Sequence, residues 1–97
     1  MNYRIELPPP VKKEIGALPG YVRAQALQLI ESLAQEPRPP KARELHDKPG
    51  IYRVWLAGRW RIAYLIEDDL KRVRILRIRR KEQIDYESLE PLEKPEQ

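Results

Sequence analysis

With 97 residues, no cysteine and one histidine, the chain has length for a single domain with a modest core, and it excludes disulfides, thiolate metal sites and a zinc centre built on histidines. It is 41% hydrophobic and 35% charged, with a net charge of +4. No apolar run approaches bilayer-spanning length and Met1-Asn2-Tyr3-Arg4 does not open a signal peptide, so a cytoplasmic, cofactor-free protein with no membrane partner is expected.

Residues 3–7 alternate as a short strand does, until Pro8, Pro9 and Pro10 stop it. Proline is tolerated in the first turn of a helix. Residues 8–18 therefore read as a short helix with Val11, Ile15 and Leu18 on one side, broken by Pro19-Gly20. Residues 21–34 read as the main helix. Val22, Ala26, Leu29 and Leu33 make its apolar face, widened by Leu27 and Ile30. Residues 36–40 form a proline-rich connection. Residues 41–50 are polar and expected to be irregular, anchored by Leu45.

Three strands follow, at residues 52–56, 60–67 and 72–79. The expected fold is α+β, in the order β-α-α-β-β-β: an antiparallel sheet with a helical pair packed on one face. A single domain at 1–90 and a disordered acidic tail at 91–97 are expected, with one turn of helix near 84–89.

Side-chain parity fixes the first hairpin. A two-residue loop would set Leu56 against Arg59 and Val54 against Arg61. A three-residue loop of Ala57, Gly58 and Arg59 pairs Leu56 with Trp60, Val54 with Ile62 and Tyr52 with Tyr64, and supplies a glycine for a positive φ. The core face then carries Val54, Leu56, Trp60 and Ile62. The opposite, solvent-facing side carries Arg53, Trp55, Arg61 and Ala63. In the last strand the apolar parity changes between Ile75 and Leu76, which requires a bulge or burial on both faces. That leaves open whether Arg77 and Arg79 join the first arginines.

The charge is concentrated. Residues 52–81 hold eight Arg and two Lys against three acids, a net +7, while residues 82–97 hold six acids against one Lys, a net −5. Such a distribution suits either a polyanion-binding surface or a solvated face paired with nearby acids. Arginine recognises phosphate through a planar fork, and Trp55 and Tyr86 offer faces on which bases stack.

The run Pro49-Gly50-Ile51-Tyr52-Arg53-Val54, then Arg59-Trp60-Arg61-Ile62-Ala63-Tyr64, then Arg79-Arg80-Lys81-Glu82 and Tyr86, resembles the RelE/ParE superfamily of toxins from toxin–antitoxin pairs, and its RelE branch most. The resemblance covers about residues 3–89. It implies a metal-independent endoribonuclease that cleaves mRNA in the ribosomal A site and stops translation. It also implies a cognate antitoxin that wraps the toxin in a higher-order complex. Carried over position by position, Arg61, Arg80 and Tyr86 are the implied catalytic residues. Arg53, Trp55, Lys48, Arg77, Arg79 and Lys81 are the implied RNA-binding residues. Trp55 stands where some relatives carry a lysine, and the C-terminal histidine of others is missing. The resemblance also admits a ParE-like inhibitor of DNA gyrase, or a relative that only binds RNA or antitoxin.

Overall fold

In a computed structural model that describes residues 2–84, five strands form one mixed sheet in the order β1-β5-β4-β3-β2. Strand β1 is Arg4–Glu6, β2 is Arg43–Glu44, β3 is Ile51–Leu56, β4 is Trp60–Glu67 and β5 is Arg72–Arg80. Helices α1 (Pro9–Gly16) and α2 (Gly20–Leu33) pack on one face. Tyr86, the expected helical turn past Ile84 and the acidic tail lie outside the described residues.

Pro8 is the N-cap of α1 and the next two prolines fill its first turn, where no N–H is needed. Pro19 caps α2 in the same way. On α2 the buried stripe is Val22, Ala26, Ile30 and Leu33. Leu29 is only half-buried and Leu27 is 47% exposed, because the stripe follows Ala26 to Ile30 around the turn and leaves Leu27 off its edge. This stripe, with Val11, Ile15 and Leu18, covers Val54, Leu56, Ile62, Tyr64, Val73, Ile75 and Ile78 on the sheet, with Trp60 packed at the margin.

The β3–β4 hairpin has the three-residue loop that parity requires: Leu56 pairs with Trp60, Val54 with Ile62 and Tyr52 with Tyr64. Both Ala57 (φ 51°) and Gly58 (φ 79°) take the left-handed region in it. The β4–β5 register shifts at Ala63/Tyr64, which pair with Arg77 and Ile75, so Leu76 is the extra residue of a bulge.

Two features depart from the expected all-antiparallel order. Strand β1 runs parallel to β5, because both helices intervene before the chain re-enters the sheet at its far edge. The polar segment 41–50 contributes β2, two residues that pair antiparallel with β3. It is too short and too charged to show a period of its own. No helix among the described residues is long and apolar enough to cross a membrane.

Candidate nucleic-acid interface

The sheet face turned away from the helices is divided in two. At one end Ile51, Ala63 and Leu65 are buried, with Leu45 and Leu76 packed against them. Leu45 donates its N–H to Ile51 at 2.8 Å, and Glu44 accepts from the Gly50 N–H at 2.9 Å. These contacts hold the 41–50 segment on the sheet. The Leu76 bulge serves the same small cluster.

At the other end the face turns cationic. A cavity of about 320 Å³ is lined by Lys41, Arg43, Arg53, Trp55, Arg61 and the strand at Val54. Four of these side chains are cations and none is a carboxylate. Strand register explains the gathering: Arg43 lies directly opposite Arg53 on the β2–β3 pair, and Trp55 directly opposite Arg61 on the β3–β4 pair. Neighbouring residues on one sheet face stand about 4.5–8 Å apart, which is reach for several guanidinium groups to share one anion. Arg43 Nη1 donates to the Pro40 carbonyl at 3.2 Å, which directs its fork.

Arg61 is not the solvent-facing side chain that its parity suggested. It is 9% exposed, and its guanidinium carbon sits 4.2 Å from the centroid of the Trp55 ring. The indole roofs the arginine while remaining 44% exposed itself. The Lys81 ammonium approaches the same ring, 5.6 Å from its centroid.

The remaining expected residues scatter. Arg77 opposes Ala63 on this face and is half-buried, with Nη1 donating to the Leu76 carbonyl at 2.8 Å. Arg79 opposes Arg61, but its Nε turns to Glu14 at 2.8 Å. The other oxygen of Glu14 accepts from the Ile78 N–H at 2.8 Å, so one carboxylate stitches α1 to β5. Arg80 opposes Trp60. Alternation therefore sends it to the opposite side of the sheet from Arg61, 5.8 Å from the Trp60 ring and 3.8 Å from Glu82. Of the implied catalytic residues, Arg61 and Arg80 therefore lie on opposite sides of the sheet. Lys48 lies in the loop before Ile51, beyond the apolar end, and does not line the cavity.

Lys41 and Arg43 were missed. Their alternation, ahead of a Pro49-Gly50 turn, is the one signal the sequence offered, and it is too brief to mark a strand.

Much of the basic charge on β5 is neutralised where it stands. Arg72 meets Glu67 at 2.6 Å and Arg74 meets Glu6 at 2.7 Å. The bond from Arg74 holds the Glu6 carboxyl below its usual range. The paired-surface reading thus fits β5, while the cavity gathers cations with no carboxylate in its lining.

A second polar group fixes the linker that leads to Lys41. Arg38 grips Asp68 with both Nη atoms, at 3.2 and 2.7 Å, and donates from Nε to the Tyr52 hydroxyl at 2.9 Å. Tyr3 donates to the same carboxylate at 2.6 Å. Hydrogen bonds from Arg38 and then Tyr3 bring the Asp68 carboxyl down to about 2. Tyr64 donates to the Pro37 carbonyl at 2.8 Å, and burial pushes its phenol well above the usual range.

Comparison with known proteins agrees with this architecture. The family model described as the ParE toxin of type II toxin–antitoxin systems, parDE, matches residues 5–85. The chain belongs to this toxin family, within the RelE/ParE superfamily. No curated protein matches the sequence. Among solved structures the toxin is similar to the isolated E. coli RelE toxin, at 22% identity and TM-score 0.72, over 89% of this chain and 92% of that one. It is also similar to a chain of the archaeal RelE–RelB complex from Pyrococcus horikoshii, at 23% identity and TM-score 0.69, over 87% and 100%. A chain of a toxin–antitoxin complex from Mycobacterium tuberculosis matches at 22% identity and TM-score 0.72, over 84% and 100%. At such identities the likeness establishes the shared fold.

Proposed function

We propose that the toxin is a ribosome-dependent endoribonuclease that cuts mRNA by attack of a 2′-hydroxyl on the adjacent phosphate. The observation that carries this is the cavity itself, with Arg43, Arg53 and Arg61 around one space and no carboxylate in its lining. In the reaction the ribose 2′-oxygen bonds to phosphorus, the 5′-oxygen leaves as a hydroxyl, and a cyclic phosphate remains. Negative charge grows on the phosphate oxygens, where preorganised cations stabilise it most. Arg61 fits this role because β4 and the Trp55 indole hold it in place, and Arg53 grips the backbone beside it. DNA lacks the nucleophile.

The proton transfers fall to other groups, since arginine keeps its proton. Tyr86 is proposed to take the 2′-hydroxyl proton, and that proton is then passed to the leaving 5′-oxygen. Arg80 is excluded from Arg61's side of the sheet by strand alternation, so charge stabilisation on this face passes to Lys81 and Arg43. A cognate antitoxin, as in the E. coli RelBE toxin–antitoxin complex, would neutralise the toxin. Action on ribosomes would place it in the cytoplasm.

The second reading is inhibition of DNA gyrase. It is favoured by the family whose model matches, that of ParE. The purified toxin incubated with translating ribosomes, and separately with gyrase and relaxed DNA, decides between them. Cleaved mRNA with normal supercoiling supports the nuclease. Intact mRNA with blocked supercoiling replaces it with the gyrase inhibitor.

A further inference from the structure

We infer that Lys41, Arg43 and Trp55 form a nucleotide subsite beside Arg61 that selects single-stranded nucleic acid, taking one phosphate on the two cations and the neighbouring unstacked base on the outer face of Trp55. The inference rests on the nuclease reading and adds to it the strandedness of the ligand and the residues that sense it.

Three observations carry it. First, Trp55 is 44% exposed at the rim of the cavity, although a large indole on a sheet face is ordinarily covered. Its position is fixed, because Arg61 lies 4.2 Å from the ring centroid. The ring is a braced platform with an accessible surface. Second, Arg43 and Lys41 are exposed and line the same cavity, so a phosphate held there lies within one nucleotide of the indole. The bond from Arg43 to the Pro40 carbonyl and the grip of Arg38 on Asp68 fix the segment that carries both cations. Third, the cavity of about 320 Å³ is at the small end of the roughly 300–1,000 Å³ range of ligand sites, a size for one nucleotide rather than a duplex.

Strand selection follows from the chemistry. Every base has a π-face, so stacking on Trp55 tolerates sequence. In a duplex those faces are already occupied by neighbouring pairs. The phosphate contacts are shared by both forms and give no discrimination, only salt-dependent affinity. Lys81, whose ammonium lies over the same ring at 5.6 Å from its centroid, adds a second cation to the platform.

The test is fluorescence anisotropy of the full-length toxin, free of ribosomes, with four labelled probes: a short single-stranded RNA, the same sequence as a duplex, an abasic strand of equal length, and the single strand as DNA. The single-stranded RNA and DNA should bind alike. The duplex and the abasic strand should bind about 5- to 150-fold more weakly, the range for one stacked base. Trp55→Ala should abolish this preference, while Trp55→Phe keeps it. Lys41→Ala and Arg43→Ala should weaken all four probes about equally, each lowering the salt slope by about 1. Equal affinity for single strand and duplex, or a preference that survives Trp55→Ala, overturns the platform. Unchanged affinity in Arg43→Ala and Lys41→Ala overturns the phosphate wall. Ribosome cleavage assayed in parallel separates the two ideas. Selective binding without cleavage keeps the subsite and removes the nuclease, and cleavage without selectivity does the reverse.

Discussion

Arg61 lies beneath the indole of Trp55, directly across the β3–β4 pair, with its guanidinium carbon 4.2 Å from the ring centroid. The contact joins stability to the proposed chemistry, because a side chain that lines the cationic cavity is also packed. Arg61→Ala therefore removes a cation–π contact and a buried stem. A loss of about 1–2 kcal/mol is expected. If the toxin cleaves RNA, the single-turnover rate should also fall by roughly 10²–10³. Arg61→Lys should restore part of the rate, since it keeps the charge without the fork. Melting curves beside the kinetics check both effects. An alanine variant that cuts at the normal rate removes Arg61 from the reaction.

Asp68 predicts an acid limb in the stability profile. Its carboxyl titrates at about 2 in the folded toxin against an ordinary 3.8. A depressed carboxyl contributes stability above the ordinary value and loses it as the pH falls through the folded one. Wild-type stability attributable to Asp68 should thus drain away between about pH 4 and pH 2. Asp68→Asn should be less stable at neutral pH, and its deficit should shrink across that window. Urea melts stepped through the acid range give the comparison. A constant deficit would mean that the Arg38–Asp68 contact contributes nothing through charge.

Tyr64→Phe should lower stability by about 1 kcal/mol, because the Pro37 carbonyl loses its donor. The stacked Tyr52 ring, 5.9 Å away, keeps its partner in the phenylalanine variant. The midpoint of urea unfolding should fall with the slope unchanged. A midpoint equal to wild type would show that water replaces the hydroxyl without cost.

Glu14 closes the outer edge of β5 by accepting from the Ile78 N–H and pairing with Arg79. Glu14→Ala should cost about 1–3 kcal/mol by stranding that N–H and should expose a strand edge prone to pairing with other chains. Glu14→Gln keeps an acceptor and should recover most of the loss. Melting temperatures with light scattering over dilution test this. Equal stability of the alanine variant would show the stitch to be dispensable.

Local rules in the sequence determined a good deal of this toxin. The prolines at 8–10 and 19 placed both helix starts, since a missing N–H harms nothing in a first turn. Period-two parity fixed the three-residue hairpin loop and the face shared by Arg53, Trp55 and Arg61, because a one-residue slip would have driven arginine into the core. The parity break at Ile75 and Leu76 left a bulge or burial on both faces open, and the bulge is what forms. What only the tertiary structure decided depends on neighbours distant in the chain. Strand β2 exists because Leu45 finds Ile51 and Leu65, and through it Lys41 and Arg43 reach the cavity. Strand β1 runs parallel to β5 because the helices return the chain to the far edge of the sheet. Arg79 is drawn off by Glu14 on α1, 65 residues earlier, and Arg80 falls beside Trp60 on the other face. Alternation gives each arginine a side of its strand, but which charges stay available to a phosphate is settled by the carboxylates that folding brings to the others.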